Sequence, residues 1–446
     1  MTSPSELRAA LADVLPGARE DLERLVRVPS ISADPGHAGD VEQAAEQVRE
    51  LAAAAGAAEV EVVRAAGGAP AVLASWPAPA GAPTVLLYAH LDVQPTGPPE
   101  EWTSPPFEPT ERDGRLYARG AADDKAGVLM HLAVLRAFRG TPPVGVVLFV
   151  EGEEEVGSPT LTALLAEHAD RLRSDVIVIA DSANAAVDVP SFTTSLRGLV
   201  DCAVEVRLLE RPVHSGMYGG PVGDALTGLC RVLATLHDDA GDVAVAGLHR
   251  GSSDAPDLDP AVFVRDVGLL DGGQLIGSGT VPERLWHRPA VSVIGIDAPS
   301  VADASNVLLP RARAKVSLRL APGDDSTRAA EALTAHLVAQ APWGAEVVVT
   351  PGSAGEPFAL EATGDVYDLA RAAFAEAYGN DAVESGIGGS IPFIAEFARA
   401  YPGATVLVTG VGDPASRWHG VDESLDLAMW ERACLAEALL LSRLAG

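Results

Sequence analysis

Apolar residues recur at helical spacing from Leu7 to Leu25 and stop near Val28-Pro29, and Asp40 stands where it can cap a second helix through Val41, Val48 and Leu51. The period then shortens. Glu59–Val63, Ala71–Trp76 and Thr84–Ala89 are short apolar runs bounded by glycine and proline, which predicts buried strands, and a proline-rich loop leads to another at Leu116–Ala118. Helical spacing returns over Ala126–Phe138 and Leu161–His168, in alternation with the apolar runs Val144–Val150 and Val176–Ala180. The alternation predicts a mixed α/β sheet with helices on both faces.

Near Thr193 the pattern changes. Val204, Val206 and Leu208 alternate with polar neighbours across Leu199–Leu209, as in a half-exposed strand. A helix at Asp224–Leu236, strands at Ala290–Ile296 and Ala314–Leu320, a helix at Thr327–Ala339 and a strand at Ala345–Thr350 follow. Two helices against a small sheet is an α+β pattern with an exposed sheet face or edge, which a dimer contact could cover. From about Glu356 the first style resumes, with helices at Asp365–Tyr378 and Leu425–Leu444 around a strand at Thr405–Val408. The expected organisation is a catalytic domain in two parts, 1–192 and 355–446, interrupted by a smaller inserted domain, 193–354.

The 446 residues, 48% of them hydrophobic, supply enough apolar material for two cores. Sixty-two acidic against 32 basic residues give a net charge of −30, a field that repels phosphate backbones and argues against nucleic acid as a partner. Cys202, Cys230 and Cys434 are odd in number and lack CxxC spacing, so neither a disulfide framework nor a thiolate metal site is expected. No apolar run approaches the roughly 18 residues of a membrane span, and Met1 to Glu20 carries mixed charge where a signal peptide would be apolar. The expectation is a cytoplasmic protein without membrane contact.

Candidate chemistry gathers at the ends of the expected strands. Val144–Val150 runs into Glu151-Gly152-Glu153-Glu154-Glu155, and a strand's carboxyl end is where open α/β sheets place their reactive groups. Adjacent Glu154 and Glu155 can point differently, so that one holds a metal while the other moves protons. Thr84–Ala89 ends in His90-Leu91-Asp92, where Asp92 can orient the His90 ring. Asp123 and Asp124 precede a helix, Asp181 ends the strand Val176–Ala180, and His419 lies in a loop beyond Thr405–Val408. Singly, these residues also read as a solvated acidic loop, a capped histidine or helix N-caps. Together, two imidazoles and several carboxylates in one expected domain suit zinc or a similar divalent ion, with a shared carboxylate giving a two-metal geometry. Two divalent cations would be balanced by three ligand carboxylates and a hydroxide.

The stretches His90-Leu91-Asp92-Val93-Gln94-Pro95, Arg119-Gly120-Ala121-Ala122-Asp123-Asp124-Lys125, Glu151 to Ser158 and His214-Ser215-Gly216-Met217-Tyr218-Gly219-Gly220 resemble the motifs of metallopeptidase family 20. Their forms are most similar to its carnosinase and cytosolic non-specific dipeptidase branch. The resemblance implies a zinc-exopeptidase-like catalytic domain with an inserted lid and dimerisation domain, and two divalent ions per subunit, zinc first with manganese or cobalt as alternatives. It implies that Asp123 bridges the ions, that His90 and Asp181 complete one site and Glu155 and His419 the other, and that Glu154 is the general base. A cis peptide after the bridging aspartate goes with it. Arg319 would meet the substrate carboxylate, Asn306 would contact substrate, and His214, supplied by the neighbouring subunit, would polarise the scissile carbonyl. Independently of the resemblance, Gly389 and Ser390 precede an apolar helical run, where free backbone N–H groups could meet a carboxylate or simply cap the helix.

The expected activity is hydrolysis of small dipeptides by a metal-bound hydroxide in a homodimer formed through the lid. Cleavage of N-acyl amino acids by the same groups is the alternative, and a binding protein without activity is a third reading that the full donor set opposes.

Overall fold

The computed structural model describes residues 3–253, 257–388 and 392–446. The chain divides into two compact units, Met1–Thr194 with Leu360–Ser385 and Pro392–Gly446, and Ser195–Ala359 with Gly386–Ile391.

The first unit opens with the helices α1 (Pro4–Val26) and α2 (Ala38–Ala54), followed by the strands β1 (Glu59–Val63), β2 (Ala71–Trp76) and β3 (Thr84–His90) and the helix α3 (Lys125–Ala137). A six-stranded sheet runs in the order β1, β2, Gly145–Glu151, β3, Val176–Ile179, Thr405–Val408. β1 and β2 are antiparallel additions, whereas β3 pairs in parallel with Gly145–Glu151 and Val176–Ile179, and Thr405–Val408 is parallel to the latter. Four strands therefore end at the same edge, with His90 beside Glu151 and Tyr88 beside Ile179.

The six strands divide their side chains between two apolar layers. Val85, Leu87, Ala89, Val146, Leu148 and Val150 join the core that contains α1, α2, α3 and the helices Asp365–Tyr378 and Leu427–Leu444. Tyr88 and Phe149 point the other way, onto Phe397 of the helix Pro392–Ala400 at centroid distances of 5.4 and 6.2 Å. Helices on both faces are what near-continuous apolar strands require.

In the second unit a four-stranded antiparallel sheet has the order Ala290–Asp297, Arg311–Leu320, Gly198–Arg207, Glu346–Gly355. Gly198–Arg207 alternates buried and half-buried residues, and its inward side packs on the helices Ala225–Ala234 and Ser326–Ala339. Ala290–Asp297 is an edge strand, and Val293, Ile294 and Ile296 on it are exposed. Residues 386–388, expected within the catalytic part, belong to this second unit. The physical reason is local: a Cβ at Gly386 would lie 2.6 Å from Trp286, and Arg197 Nε donates to the Gly388 carbonyl at 3.1 Å.

Candidate metal centre

The first unit brings His90, Asp123, Glu154, Glu155, Asp181 and His419 together beyond the parallel edge of its sheet. His90 is the last residue of β3 and is fully buried. Its Nδ1 lies 3.1 Å from the Asp92 carbonyl, which fixes the proton there and turns Nε2 toward Asp123 Oδ1 at 3.0 Å. Asp92 divides its expected role: its carboxylate is 3.5 Å from the ring and instead accepts the backbone N–H groups of Glu154 and Glu155 at 3.2 and 3.1 Å. One residue thereby ties the imidazole to the acidic turn.

Asp123 presents its second oxygen, Oδ2, to His419 Nε2 at 3.1 Å, and the same nitrogen is 3.2 Å from Glu155 Oε2. Asp181 Oδ2 lies 3.9 Å from His90 Nε2. Two donor groups result, His90/Asp123/Asp181 and Asp123/Glu155/His419, each with its atoms within 4.8 Å of one another and with Asp123 common to both. Ligands at ~2.1 Å in tetrahedral geometry stand roughly 3.4 Å apart, so the spacing within each donor group fits a small divalent ion, and Asp123 is common to both groups. Glu154 belongs to neither group; its Oε2 is 4.0 Å from His90 Nε2. The Asp123–Asp124 peptide is cis.

The ionisation of the cluster reflects its crowding. Burial, followed by the charge of Asp181, pushes the Glu154 carboxyl well above its ordinary range. Burial also raises Asp181, to about 7. Burial would raise Asp123 too, but hydrogen bonds with His419 and His90 outweigh it and hold this carboxyl below the usual range. The hydrogen bond with Asp123, followed by that with Glu155, lifts His419 to about 10. Like charges at this spacing call for cations.

Sequence reasoning missed three contributors. Gln94 donates from its backbone to Glu155 Oε1 at 3.1 Å and from its side-chain amide to Oε2 at 2.9 Å, which fixes the carboxylate that faces His419. Arg119 and Glu423 form a buried ion pair at 2.6 Å behind the Asp123 loop. Gln94 lies within a quoted motif, but Glu423 carries no periodic or spacing signal at all.

The remaining expected residues belong to the second unit or fall outside the described residues. His214 and Asn306 are brought together there: the strand Val213–His214 pairs with Val307–Leu308, and Ser215 N–H donates to the Asn306 carbonyl at 3.0 Å. His214 is exposed, and its Nδ1 accepts the Gly216 N–H at 3.1 Å, which leaves the ring proton of the neutral form on Nε2. Arg319 is half-buried on Arg311–Leu320, paired with Leu199 across the sheet. Among the described residues no carboxylate pairs with Arg319 or with Arg197, whose guanidinium burial and the charge of Arg319 lower to about 10. Gly389 and Ser390 lie outside the described residues.

A parallel-edged α/β sheet carries two histidine–carboxylate groups that share an aspartate, an arrangement suited to metal-dependent hydrolysis. The chain belongs to peptidase family M20/M25/M40, whose pattern matches residues 86–443. It is 38% identical over 364 residues to the cysteinylglycine-S-conjugate dipeptidase of Corynebacterium striatum, covering 80% of each chain. It is 27% identical over 387 residues to the Cys-Gly metallodipeptidase DUG1 of Saccharomyces cerevisiae, covering 80% of this chain and 79% of the other. The solved structure of human carnosine dipeptidase 1 superposes with a TM-score of 0.84 at 24% identity, covering 99% of this chain and 98% of that one. That of yeast Dug1p does so with a TM-score of 0.85 at 23% identity, over 100% and 99%. The protein is therefore a hydrolase acting on peptide bonds, with relatives in the dipeptidase branch. Among the described residues no helix is long and apolar enough to cross a membrane.

Proposed function

We propose that this protein cleaves the peptide bond of small dipeptides with two divalent ions, zinc first, held by His90, Asp123, Asp181, Glu155 and His419. The observation that carries the reading is the carboxylate of Asp123, which offers one oxygen to each donor group. When bound, the ions supply Lewis acidity and bring the pKa of a coordinated water to ~7. Glu154, with Oε2 4.0 Å from His90 Nε2 and outside both donor sets, takes the proton of the attacking water and passes it to the leaving amine. A carboxyl raised by burial suits both halves of that transfer. Asp92 and Gln94 hold the Glu154–Glu155 turn while the proton moves.

His214 and Arg319 act on the substrate from the second unit. With Nδ1 engaged by Gly216, His214 keeps Nε2–H to donate to the developing oxyanion. Arg319, free of a carboxylate partner among the described residues, binds the substrate's terminal carboxylate, a task for which a guanidinium fork is suited. Asn306, Gly389 and Ser390 complete that contact. The working form is a cytoplasmic homodimer joined through the second unit, with His214 reaching the neighbouring subunit's metal centre. Turnover of Ala-type dipeptides and of their N-acetylated analogues after reconstitution with zinc, manganese or cobalt tests the substrate class. Preference for the free amine is expected, and preference for the acetylated series would make the protein an N-deacylase.

A further inference from the structure

The donors of the candidate centre hang partly on three connecting segments, 90–95, 119–124 and 419–423, and the pair Arg119 and Glu423 joins all three. Glu423 Oε2 accepts from Arg119 Nη1 at 2.6 Å and from Gly120 N–H at 3.0 Å. Its Oε1 accepts from the N–H groups of Ala122 and Asp123 at 2.9 and 3.1 Å. Arg119 Nη2 donates to the carbonyls of Gly420 and Pro95 at 3.2 and 3.3 Å. Both side chains are buried, with Arg119 at 1% and Glu423 at 0% exposure.

Stability alone is a poor reason for such a pair, because desolvating two charges offsets much of their attraction and well-packed apolar residues often serve as well. What the pair does fix is geometry. Four donors fill the acceptor sites of one carboxylate, so a shift of the Asp123 loop against the His419 loop must break buried hydrogen bonds. The grip falls on the N–H of Asp123 itself and on Gly420, the residue after His419, which holds a left-handed φ of 58°. The His90/Asp123/Asp181 group has two of its three donors on sheet strand ends, whereas Asp123 and His419 of the other group both come from these loops.

We propose that Arg119 and Glu423 form a positioning unit that sets the spacing between Asp123 and His419, and so decides whether the second ion is held. The inference rests on the two-metal reading above. In Glu423→Gln the amide nitrogen cannot accept, so two of the four donors lose their partner. The second binding step should weaken by about 10–100-fold, the range for residues that support metal ligands, while the first changes less. Arg119→Lys keeps the charge but gives up the fork that reaches Gly420 and Pro95, and should shift the same step.

The test is a cobalt(II) titration of chelated protein, read by visible absorption and by elemental analysis after desalting. The wild type should show two tight steps and both variants one, whereas Leu439→Ala, a core cavity in the helix Leu427–Leu444, should keep both steps despite lowered stability. Two unchanged steps in folded Glu423→Gln and Arg119→Lys would overturn the proposal. Should Glu423→Gln fail to fold, Arg119→Lys decides alone. Fewer than two ions on the wild type would instead overturn the two-metal reading.

Discussion

Glu154 and Glu155 are neighbours in sequence with opposite surroundings. Glu155 has Gln94 on both oxygens and His419 at 3.2 Å, the setting of a ligand held in place. Glu154 is half-buried, its carboxyl raised by desolvation and by the charge of Asp181, and it enters no donor group, which suits the proton exchange proposed for it. Glu154→Gln should therefore keep its metal and lose ~10²–10⁴ in turnover, the usual worth of general acid–base catalysis. Glu155→Gln should lose metal first; elemental analysis with dipeptide kinetics checks both, and the reverse pattern would exchange the two roles. His419 stands in a loop and its role came only from the family resemblance, whereas His90, Asp123, Glu155 and Asp181 were legible as candidates because each lies near a strand end or a helix start. Gln94 and Glu423 were not, because only the folded chain places an amide on Glu155 and a carboxylate on four donors of another loop. Asp92 shows the limit of spacing: its position beside His90 was readable, but not that its carbonyl takes the ring while its carboxylate takes the Glu154–Glu155 turn.

Among the elements, every residue of α3 but Arg136 is buried, and Lys125 at its start is one of its few polar residues. Its ammonium donates to the carbonyls of Leu25 and Val28 at 3.1 and 2.7 Å, at and just past the end of α1. Burial pulls the Lys125 pKa down to about 7, against the attraction of Glu423 and Asp92. Between that value and the ordinary 10.5 the unfolded chain binds the extra proton, so this group's contribution is complete only above the unfolded value and is lost as pH falls toward 7. Denaturation midpoints measured from pH 7 to 9 should accordingly shift in favour of the wild type over Lys125→Met. A difference that is flat or opposite in slope would contradict the buried, shifted lysine. Strands and helices of the first unit were readable because their apolar runs are continuous and bounded by glycine or proline. The strand Glu346–Gly355 was read short, since Pro351 interrupts the pattern where the sheet absorbs a bulge between Pro351 and Ala354.

For the whole molecule, the change of period near Thr193 was enough to suggest an inserted unit. The association of residues 386–388 with that unit was not readable, because it depends on packing against Trp286 and Arg197. Active sites shared between subunits, as proposed above, carry a distinct prediction at this scale. Mixed His214→Ala and Glu154→Gln protomers should regain activity through heterodimers, each with one intact site, whereas no recovery after verified subunit exchange would place His214 outside the partner's reaction. The charge of the centre bears on the entire fold as well: without the two cations proposed above, Asp123, Glu155 and Asp181 would be crowded carboxylates and the stabilisation of a bound ligand would be forfeited. The most direct measurement is a zinc titration of exhaustively chelated protein, with bound metal, thermal midpoint and dipeptide turnover followed together. The account predicts no turnover and a lowered midpoint without metal, both restored as two ions bind per chain. Full turnover in protein shown by elemental analysis to lack metal would contradict it.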